Sequence, residues 1–412
     1  MKSSELVEPG FVNDEFSAFY PLAAASPTIR SFELERWGLE WAHGPLALAH
    51  PASDRSCALL SRDLEKTAAS VDTFAPGDGD AWRELFAWWD RIGGPFLRAL
   101  ATPFPPVRAG LRMAARLRRD LPEFARLATL SVRRLADERF QGDGGGRLLA
   151  GNAMHTDLLP ESAIGGFFGW FLSSLGQTVG YPCARGGASN LTEALVRRLE
   201  SNGGGVTCNA RVHEIVVERG RARAVRSAVG DVSATRSILA DVHAVPLYLD
   251  LLPRSAVPAR VLRAIGRFEH DPATFKVDWT LDGPIPWLAT DARRAPVIHV
   301  AESVDELSVT QSEIARGLRP TNPFLVLGQY SMVDPSRMPA GKEVTWAYTH
   351  LLHGVTTDGL AERMEGRIEA LAPGFRDLVR SRRTAGPEDL EAEDENLIGG
   401  SLSGGTLNST SS

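Results

Sequence analysis

Apolar residues recur at helical spacing in three stretches of the first 140 residues, which predicts three helical regions. The first begins at Ser61 or Asp63, either of which can cap a helix. The second lies within residues 76–100, and the third within residues 106–140, where Pro122 is expected to divide it into two helices. The strongest apolar face, in the second region, is formed by Trp82, Leu85, Phe86 and Trp89.

Beyond residue 180, short apolar runs alternate with turns, which is typical of strands joined to helices. A helix is predicted over residues 190–202, because Asn190 is a good N-cap, Glu193 stands three residues later, and Gly203 follows the end. A half-buried strand is predicted at residues 275–281, where apolar and polar side chains alternate. Further strands are predicted at 206–208, 212–217, 222–227, 232–240, 324–330 and 343–350, and further helices at 258–268 and 358–372.

The segment from Ser162 to Ala184 carries no charge and is long enough to cross a bilayer. Its five glycines, three serines, Gln177 and Pro182 favour other interpretations. One is a buried helix that ends near Gly176. Another is one wall of an apolar ligand pocket, because glycines allow a bulky ligand to approach the backbone.

Composition and charge narrow the function. The 412 residues are 43% hydrophobic and 23% charged, which is ordinary for a globular protein. A net charge of −6 argues against a nucleic-acid partner. Three widely spaced cysteines and a first segment, Met1 to Gly10, without an apolar run predict a cytoplasmic protein. Residues 106–140 contain nine arginines and four acids, which indicates either a solvated face or peripheral contact with an anionic membrane.

Motifs that would reveal chemistry directly are missing from the 412 residues. They contain no GxGxxG, no GxxxxGK[ST] and no GxSxG sequence. His350 and His353 have no acidic or cysteine ligand nearby in sequence, so no metal site is predicted.

A longer segment, YPCARGGASNLTEALVRRLESNGGGVTCNARVHEIVVERGRARAV, resembles the middle block of phytoene dehydrogenase-like FAD-dependent oxidoreductases. These belong with carotenoid desaturases and flavin amine oxidases in the NAD(P)/FAD-binding superfamily. The block begins with Gly186-Gly187, continues through a helix with LxxAL at Leu191 to Leu195, and ends with Val212 and Ile215 on a strand. The segments SILADVHAVPLYLDLLP, FKVDWTLDGPIPW and DENLIGGSLSGG also resemble segments of this family.

The resemblance implies FAD as the cofactor and assigns residues to its site. Gly186 and Gly187 would lie where the chain approaches the cofactor closely, the Val212 backbone would contact the adenine end, and Asp241 would end the strand that returns to the flavin domain. Lys276 resembles a lysine that holds a water near the flavin in amine oxidases, although it is also explained as an outward-facing strand residue. The candidate walls of the substrate pocket, each equally well explained as core, are Trp170, Phe171, Tyr348 and His350.

The resemblance also implies an α/β (mixed α+β) architecture. A partial Rossmann-like FAD-binding domain would combine with a substrate domain of largely antiparallel sheet and a helical cap. Since the family begins with a strand, GxGxxG and a helix, and closes with a Gly-rich flavin segment, the chain is expected to be truncated at both ends. The expected divisions are 1–177 (first strands and helical cap), 178–245 (remnant of the FAD domain), 246–384 (substrate-domain sheet and helices) and 385–412 (acidic and Gly/Ser-rich return).

Two functions of different class follow. The first is an FAD-dependent desaturase-type oxidoreductase for an apolar small molecule, in which a complementing polypeptide supplies the missing segments. The second is a catalytically inactive remnant, or a module that binds an apolar ligand or a protein partner without flavin. The resemblance favours the first, and the missing phosphate-binding loop favours the second for the isolated chain.

Overall fold

A computed structural model describes residues 1–103 and 105–407. The strands are β1 (Ser3–Ser4), β2 (Asn13–Asp14), β3 (Trp41–Ala42), β4 (Leu48–Pro51), β5 (Cys57–Leu60), β6 (Cys183–Ala184), β7 (Val212–Glu218), β8 (Arg221–Ser227), β9 (Gly230–Ser233), β10 (Ala273–Leu281), β11 (Val297–Val300), β12 (Leu325–Gln329), β13 (Glu343–Leu351) and β14 (Val379–Ala385). The predicted strands that begin near residues 212, 222, 324 and 343 are therefore confirmed.

The helices of the first half are α1 (Pro21–Ala25), α2 (Pro27–Ser31), α3 (Leu64–Asp72), α4 (Asp78–Leu100), α5 (Val107–Leu117), α6 (Leu121–Leu127), α7 (Val132–Arg139), α8 (Gly144–Ala153) and α9 (Gly165–Thr178). Those of the second half are α10 (Ser189–Ser201), α11 (Ala244–Pro246), α12 (Ala259–Ile265), α13 (Val304–Ala315), α14 (Leu360–Leu371), α15 (Phe375–Leu378) and α16 (Pro387–Glu393). The predicted cap of α3 is confirmed, since the Asp63 side chain accepts a hydrogen bond from the Glu65 N–H.

Within the described residues, seven strands form one large sheet in the order β14-β10-β13-β12-β11-β4-β5. β4 and β11 run parallel, and the other neighbouring pairs are antiparallel. A separate three-stranded sheet, β7-β8-β9, lies on the segment that resembles the FAD domain. The mixed α/β class is confirmed.

The two faces of the large sheet differ in chemistry. On β10, Phe275, Val277 and Trp279 point to one side, where they pack with α14. Lys276 and Asp278 point to the other side, which we call the site face. All nine residues of β10 are buried, so the prediction of a half-buried strand was wrong. The alternating pattern separates two buried surroundings, one apolar and one polar.

Helices of the first 180 residues cover the site face of the sheet. Leu48, Val297 and Val326 on that face share a core with residues of α4, α8 and α9. α8 and α9 pack closely because Gly169 has no side chain: a Cβ there would lie 2.4 Å from the Leu149 carbonyl oxygen.

Several local predictions were wrong for identifiable reasons. α10 begins one residue early, with Ala188 at the N-cap position, and the Asn190 side chain donates to the Arg185 carbonyl oxygen instead of capping the helix. Residues 206–208 form no strand, and the predicted strand 232–240 is reduced to β9. Residues 106–140 form the three helices α5, α6 and α7, and Pro122 lies in the first turn of α6, where proline is tolerated.

The uncharged segment 162–184 folds as the buried helix α9 followed by β6. In the described residues, no helix has both the length and the apolar character needed to cross a bilayer.

The close packing of α8 against α9 can be tested by adding a methyl group at their contact. Gly169→Ala is expected to lower the free energy of unfolding by about 1–3 kcal/mol, because the added methyl group must displace backbone. Urea unfolding measures this change.

Gly110→Ala in α5 is the matched control, because no described atom lies within 4 Å of its added Cβ. It is expected to be neutral or to stabilise the helix by about 0.5–1 kcal/mol. Equal effects of the two substitutions would contradict the close approach of α8 and α9.

Candidate functional site

The site face carries two facing rows of side chains. β10 and β13 are antiparallel, and their register places Thr274 opposite His350, Lys276 opposite Tyr348, and Asp278 opposite Trp346. Side chains directly opposite each other on neighbouring strands lie about 5 Å apart at Cβ. The sheet therefore brings the predicted residues Lys276, Tyr348 and His350 together.

Lys276 is buried in an ion pair. Its Nζ donates to both carboxylate oxygens of Asp278, at 2.6 and 2.7 Å, and to the Asp14 carbonyl oxygen at 2.8 Å. Burial raises the pKa of the Asp278 carboxyl, and the Lys276 ammonium opposes that rise. The Lys276 side chain is 7% exposed, so the outward-facing interpretation of this residue was wrong. Three acceptors match the three N–H groups of the ammonium, which leaves none directed at a water.

A second buried network lies beside this pair. The Arg337 side chain is fully buried between two carboxylates: Nη1 donates to Asp14 at 2.7 Å and Nε to Asp334 at 2.8 Å. Its Nη2 donates to the Ala184 carbonyl oxygen at 2.8 Å, and its guanidinium lies 4.1 Å from the centre of the Tyr330 ring. We call Asp14, Tyr330, Asp334 and Arg337 the Arg337 network. The pKa of Arg337 is raised despite burial, because the negative groups around it favour the charged form.

The Gly186-Gly187 loop is attached to this network. Both glycines have a positive φ, at 77° and 128°. The Gly186 N–H donates to Asp334 at 2.7 Å, and the Ala188 N–H donates to Asp14 at 2.8 Å. A Cβ at Gly187 would lie 2.4 Å from the Ser3 hydroxyl oxygen. Carboxylates of the chain thus occupy the N–H groups of Gly186 and Ala188, so in this arrangement the loop does not offer these two groups to a phosphate.

The other two predicted cofactor residues lie elsewhere. Val212 begins β7, an edge strand of the three-stranded sheet. Asp241 is exposed in the segment between β9 and α11. Among the described residues, no hydrogen bond joins Val212 or Asp241 to the Arg337 network. Their roles in cofactor binding stay predictions.

The four predicted pocket residues divide into two pairs. Trp170 and Phe171 lie in an aromatic core of the helical cap, where Trp170 is fully buried and donates to the Leu85 carbonyl oxygen at 2.9 Å. Tyr348 is partly exposed and stacks on Trp346 with ring centres 6.1 Å apart. The His350 ring meets Tyr348 edge-on at 5.4 Å. Desolvation of the hydroxyl raises the pKa of Tyr348 although part of its ring is exposed, and burial lowers the pKa of His350, so both rings are neutral at pH 7.

Three more histidines lie on or against the site face. His50 is on β4, His299 on β11, and His155 follows α8; the Nε2 atoms of His155 and His299 are 2.9 Å apart. Burial lowers the pKa of His50 to about 3, with a smaller contribution from Arg147, and that of His155 to about 4, with a smaller contribution from His350. Residues 1–103 and 105–407 contain no group of three His, Cys, Asp or Glu side chains arranged to hold a metal ion.

Two cavities lie away from the site face, beside α1 and α2. One, of about 300 Å³, is lined by Trp41, His43 and Arg62 among others. The second, of about 370 Å³, lies between α2 and the end of α4 and has an apolar lining that includes Leu22, Ile29, Leu97 and Leu100. Neither is lined by Lys276, Tyr348 or His350.

Sequence reasoning missed the Arg337 network and the three histidines. A local signal existed for part of the Arg337 network, since Asp334 and Arg337 are three residues apart. The neighbouring Lys276–Asp278 pair also left a signal, since its two residues share a face of β10. No local signal marks Asp14, because its partners are 174 to 323 positions away in the sequence.

Removing the buried guanidinium tests the Arg337 network. Arg337→Met is expected to lower the free energy of unfolding by about 3–5 kcal/mol, because it leaves two buried carboxylates without their cation. The control is Arg36→Met, which removes the exposed pair with Glu33 and is expected to change stability by less than about 1 kcal/mol. Similar losses in both variants, measured by urea unfolding, would show that Arg337 is not a structural centre.

The buried histidines predict a pH dependence of stability. Their pKa values in the folded protein lie below the value of about 6.5 in an unfolded chain, so unfolding takes up protons below that pH. The histidines therefore do not lower the free energy of unfolding above pH 7. Between pH 6.5 and 5 this free energy falls, by up to about 1.4 kcal/mol per pH unit for each histidine.

Urea titrations at pH 7 and pH 5 measure this slope. His155→Gln is expected to reduce it, whereas His213→Gln, on the exposed side of β7, is expected to leave it unchanged. A wild-type stability that does not change between these pH values would contradict the burial of neutral histidines.

Comparison with known proteins supports an oxidoreductase fold. No protein-family model matches the sequence. The chain is 25% identical over 360 residues to pyridine nucleotide-disulfide oxidoreductase domain-containing protein 2 of Mus musculus, a match that covers 81% of this chain and 59% of that protein. The chain thus spans less than two thirds of the length of this curated relative.

Solved oxidoreductase structures align with nearly the whole chain. An oxidoreductase from Methanosarcina mazei aligns with a TM-score of 0.56 and 13% identity, over 92% of this chain and 78% of that one. A redesigned putrescine oxidase aligns with a TM-score of 0.55 and 13% identity, over 97% of this chain and 78% of that one. The chain has the fold of these oxidoreductases, and its sequence is similar to that of a pyridine nucleotide-disulfide oxidoreductase-domain protein.

Proposed function

We propose that this chain supplies the substrate side of an FAD-dependent oxidoreductase of the phytoene dehydrogenase type, which acts on an apolar small molecule. The observation that carries this proposal is the site face, where Trp346, Tyr348 and His350 form an aromatic row opposite the buried Lys276–Asp278 pair. The shared fold with solved oxidoreductases and the sequence resemblance point to the same chemistry.

The residues of the site face bind the substrate and orient it. A row of neutral aromatic rings favours an apolar substrate, because it offers large contact area without charge. The helical cap packs over much of this face, so a substrate held there would be shielded from water. When bound, FAD would accept hydride from the substrate, so the chain itself needs no nucleophile or metal.

Lys276 acts here as a positioning residue. Its ammonium joins β10 to the Asp14 carbonyl oxygen and so fixes strand β2 against the site face. The water-holding role implied by the resemblance requires Asp278 to release one ammonium N–H. The pair is therefore the part of the site face that must rearrange if a water is to be held there.

We further propose that a complementing polypeptide supplies the pyrophosphate-binding strand, GxGxxG and helix. The segment that resembles the FAD domain exposes apolar side chains, among them Leu239 at 92% and Val229 at 62%. Exposed apolar groups on this scale favour contact with another chain segment. If the phosphates of FAD lie near the Gly186-Gly187 loop, Asp14 and Asp334 must keep their ion pairs with Arg337, because unpaired carboxylates would repel the phosphates.

The second candidate is a module that binds an apolar ligand and no flavin. Two observations favour it: carboxylates of the chain hold the N–H groups of Gly186 and Ala188, and the apolar cavity of about 370 Å³ lies away from the site face.

A flavin titration separates these candidates. The chain 1–412 is purified, and its fluorescence is followed as FAD or riboflavin is added. We expect weak binding of equal strength for the two flavins, because the described residues offer a face for the ring system, while carboxylates occupy the Gly186 and Ala188 N–H groups. We expect a stoichiometric yellow complex only after addition of a polypeptide that carries strand, GxGxxG and helix, such as one encoded by a neighbouring reading frame.

Two results would overturn the proposal. Tight binding of FAD, at least 100-fold stronger than that of riboflavin, by the chain alone would show a phosphate site and remove the need for a partner. Failure of both flavins to bind, with and without the partner, would leave the flavin-free module. The exposed Lys66→Met and the paired variant Lys276→Met with Asp278→Leu test whether the effect belongs to the site face, since only the second is expected to weaken flavin binding.

A further inference from the structure

The surface around α5 exposes apolar side chains that the core does not use. Leu100 at the end of α4 is 58% exposed, Val107 and Leu111 on α5 are 60% and 66% exposed, and Leu121 at the start of α6 is 39% exposed. Val107 and Leu111 are four residues apart and share one face of the helix. We call these four residues, with the arginines described next, the cap surface.

Four arginines on the cap surface have no carboxylate partner. Within residues 1–103 and 105–407, the exposed Arg108, Arg112, Arg118 and Arg119 form no ion pair. Their neighbours behave differently: Arg91 pairs with Asp120, and Arg139 pairs with Glu123. The positive charge is therefore concentrated beside the exposed leucines and valine, in a chain whose net charge is −6.

The cap surface continues into the apolar cavity of about 370 Å³. Leu100 lines this cavity, and so does Leu22, which is 48% exposed. An apolar opening at the edge of a basic, apolar surface leaves apolar side chains in contact with water, which is unfavourable unless a partner covers them. Such an opening would give a lipophilic molecule a path out of a bilayer.

We propose that the cap surface docks on an anionic lipid bilayer. Val107 and Leu111 enter the boundary between headgroups and acyl chains, and the four arginines lie among the lipid phosphates. The charge complements an anionic bilayer, and the apolar side chains gain contact there that a nucleic acid would not give. This docking is independent of the proposed function, because it needs no flavin.

Vesicle sedimentation of the purified chain 1–412 tests the proposal. Vesicles of phosphatidylcholine with about 30 mol % phosphatidylglycerol are expected to pellet the protein at low salt, and vesicles of phosphatidylcholine alone are not. Raising the salt to about 0.5 M is expected to release it, because the charges are then screened. Each arginine near such a surface contributes about fivefold to binding, so Arg108→Gln with Arg112→Gln is expected to weaken it about 25-fold.

Matched variants separate docking from general charge or stickiness. Leu111→Ser is expected to weaken binding about tenfold. The controls Arg221→Gln with Arg223→Gln, on the exposed β8, and Leu199→Ser, on α10, are expected to have no effect. The proposal is overturned if the protein fails to pellet with anionic vesicles at low salt, if the control variants lose as much binding, or if a duplex oligonucleotide displaces the protein from the vesicles.

Discussion

The guanidinium of Arg337 lies between carboxylates from two segments far apart in the sequence, and much of the site depends on this buried contact. Asp14 comes from the first short strands, and Asp334 from the loop after β12. The same two carboxylates hold the N–H groups of Gly186 and Ala188. A charge taken out of water is stabilised only if its partners have good geometry, so these distant segments are bound to one arrangement.

That arrangement shapes the chemistry of the sheet. Asp14 also accepts a hydrogen bond from Tyr330, and its carbonyl oxygen accepts one from Lys276. Lys276 and Asp278 on β10 thus pair with each other beside the Arg337 network, while Tyr348 and Trp346, directly opposite them on β13, are aromatic and uncharged. This division keeps the fixed charges paired with each other, and under the proposed function it leaves the rings as the contact surface for an apolar substrate.

The sequence predicted the positions of helices and strands better than the surroundings of their side chains. The alternation in FKVDWTL located β10, but it could not show that both faces of the strand are buried, because a polar buried face and a solvated face have the same pattern. Asparagine is a common N-cap residue, so Asn190 was predicted to begin α10. The buried hydrogen bond from the Ala188 N–H to Asp14 sets the start of the helix instead. Gly186 and Gly187 were assigned to the cofactor site through a family resemblance, which stays a prediction. The carboxylates that bind the Gly186 and Ala188 N–H groups lie too far along the chain to leave a local pattern.

Photolabelling with an azido-substituted riboflavin, followed by mapping of the labelled peptides, would locate the flavin ring on the chain. The ring system alone is used, so the result does not depend on a phosphate site. If the site face receives the flavin, the label will lie on β10 or β13, in the peptides that carry Lys276 or Tyr348. Label confined to the β7–β9 sheet or to the cavities beside α1 and α2 would show that the site face does not receive the flavin.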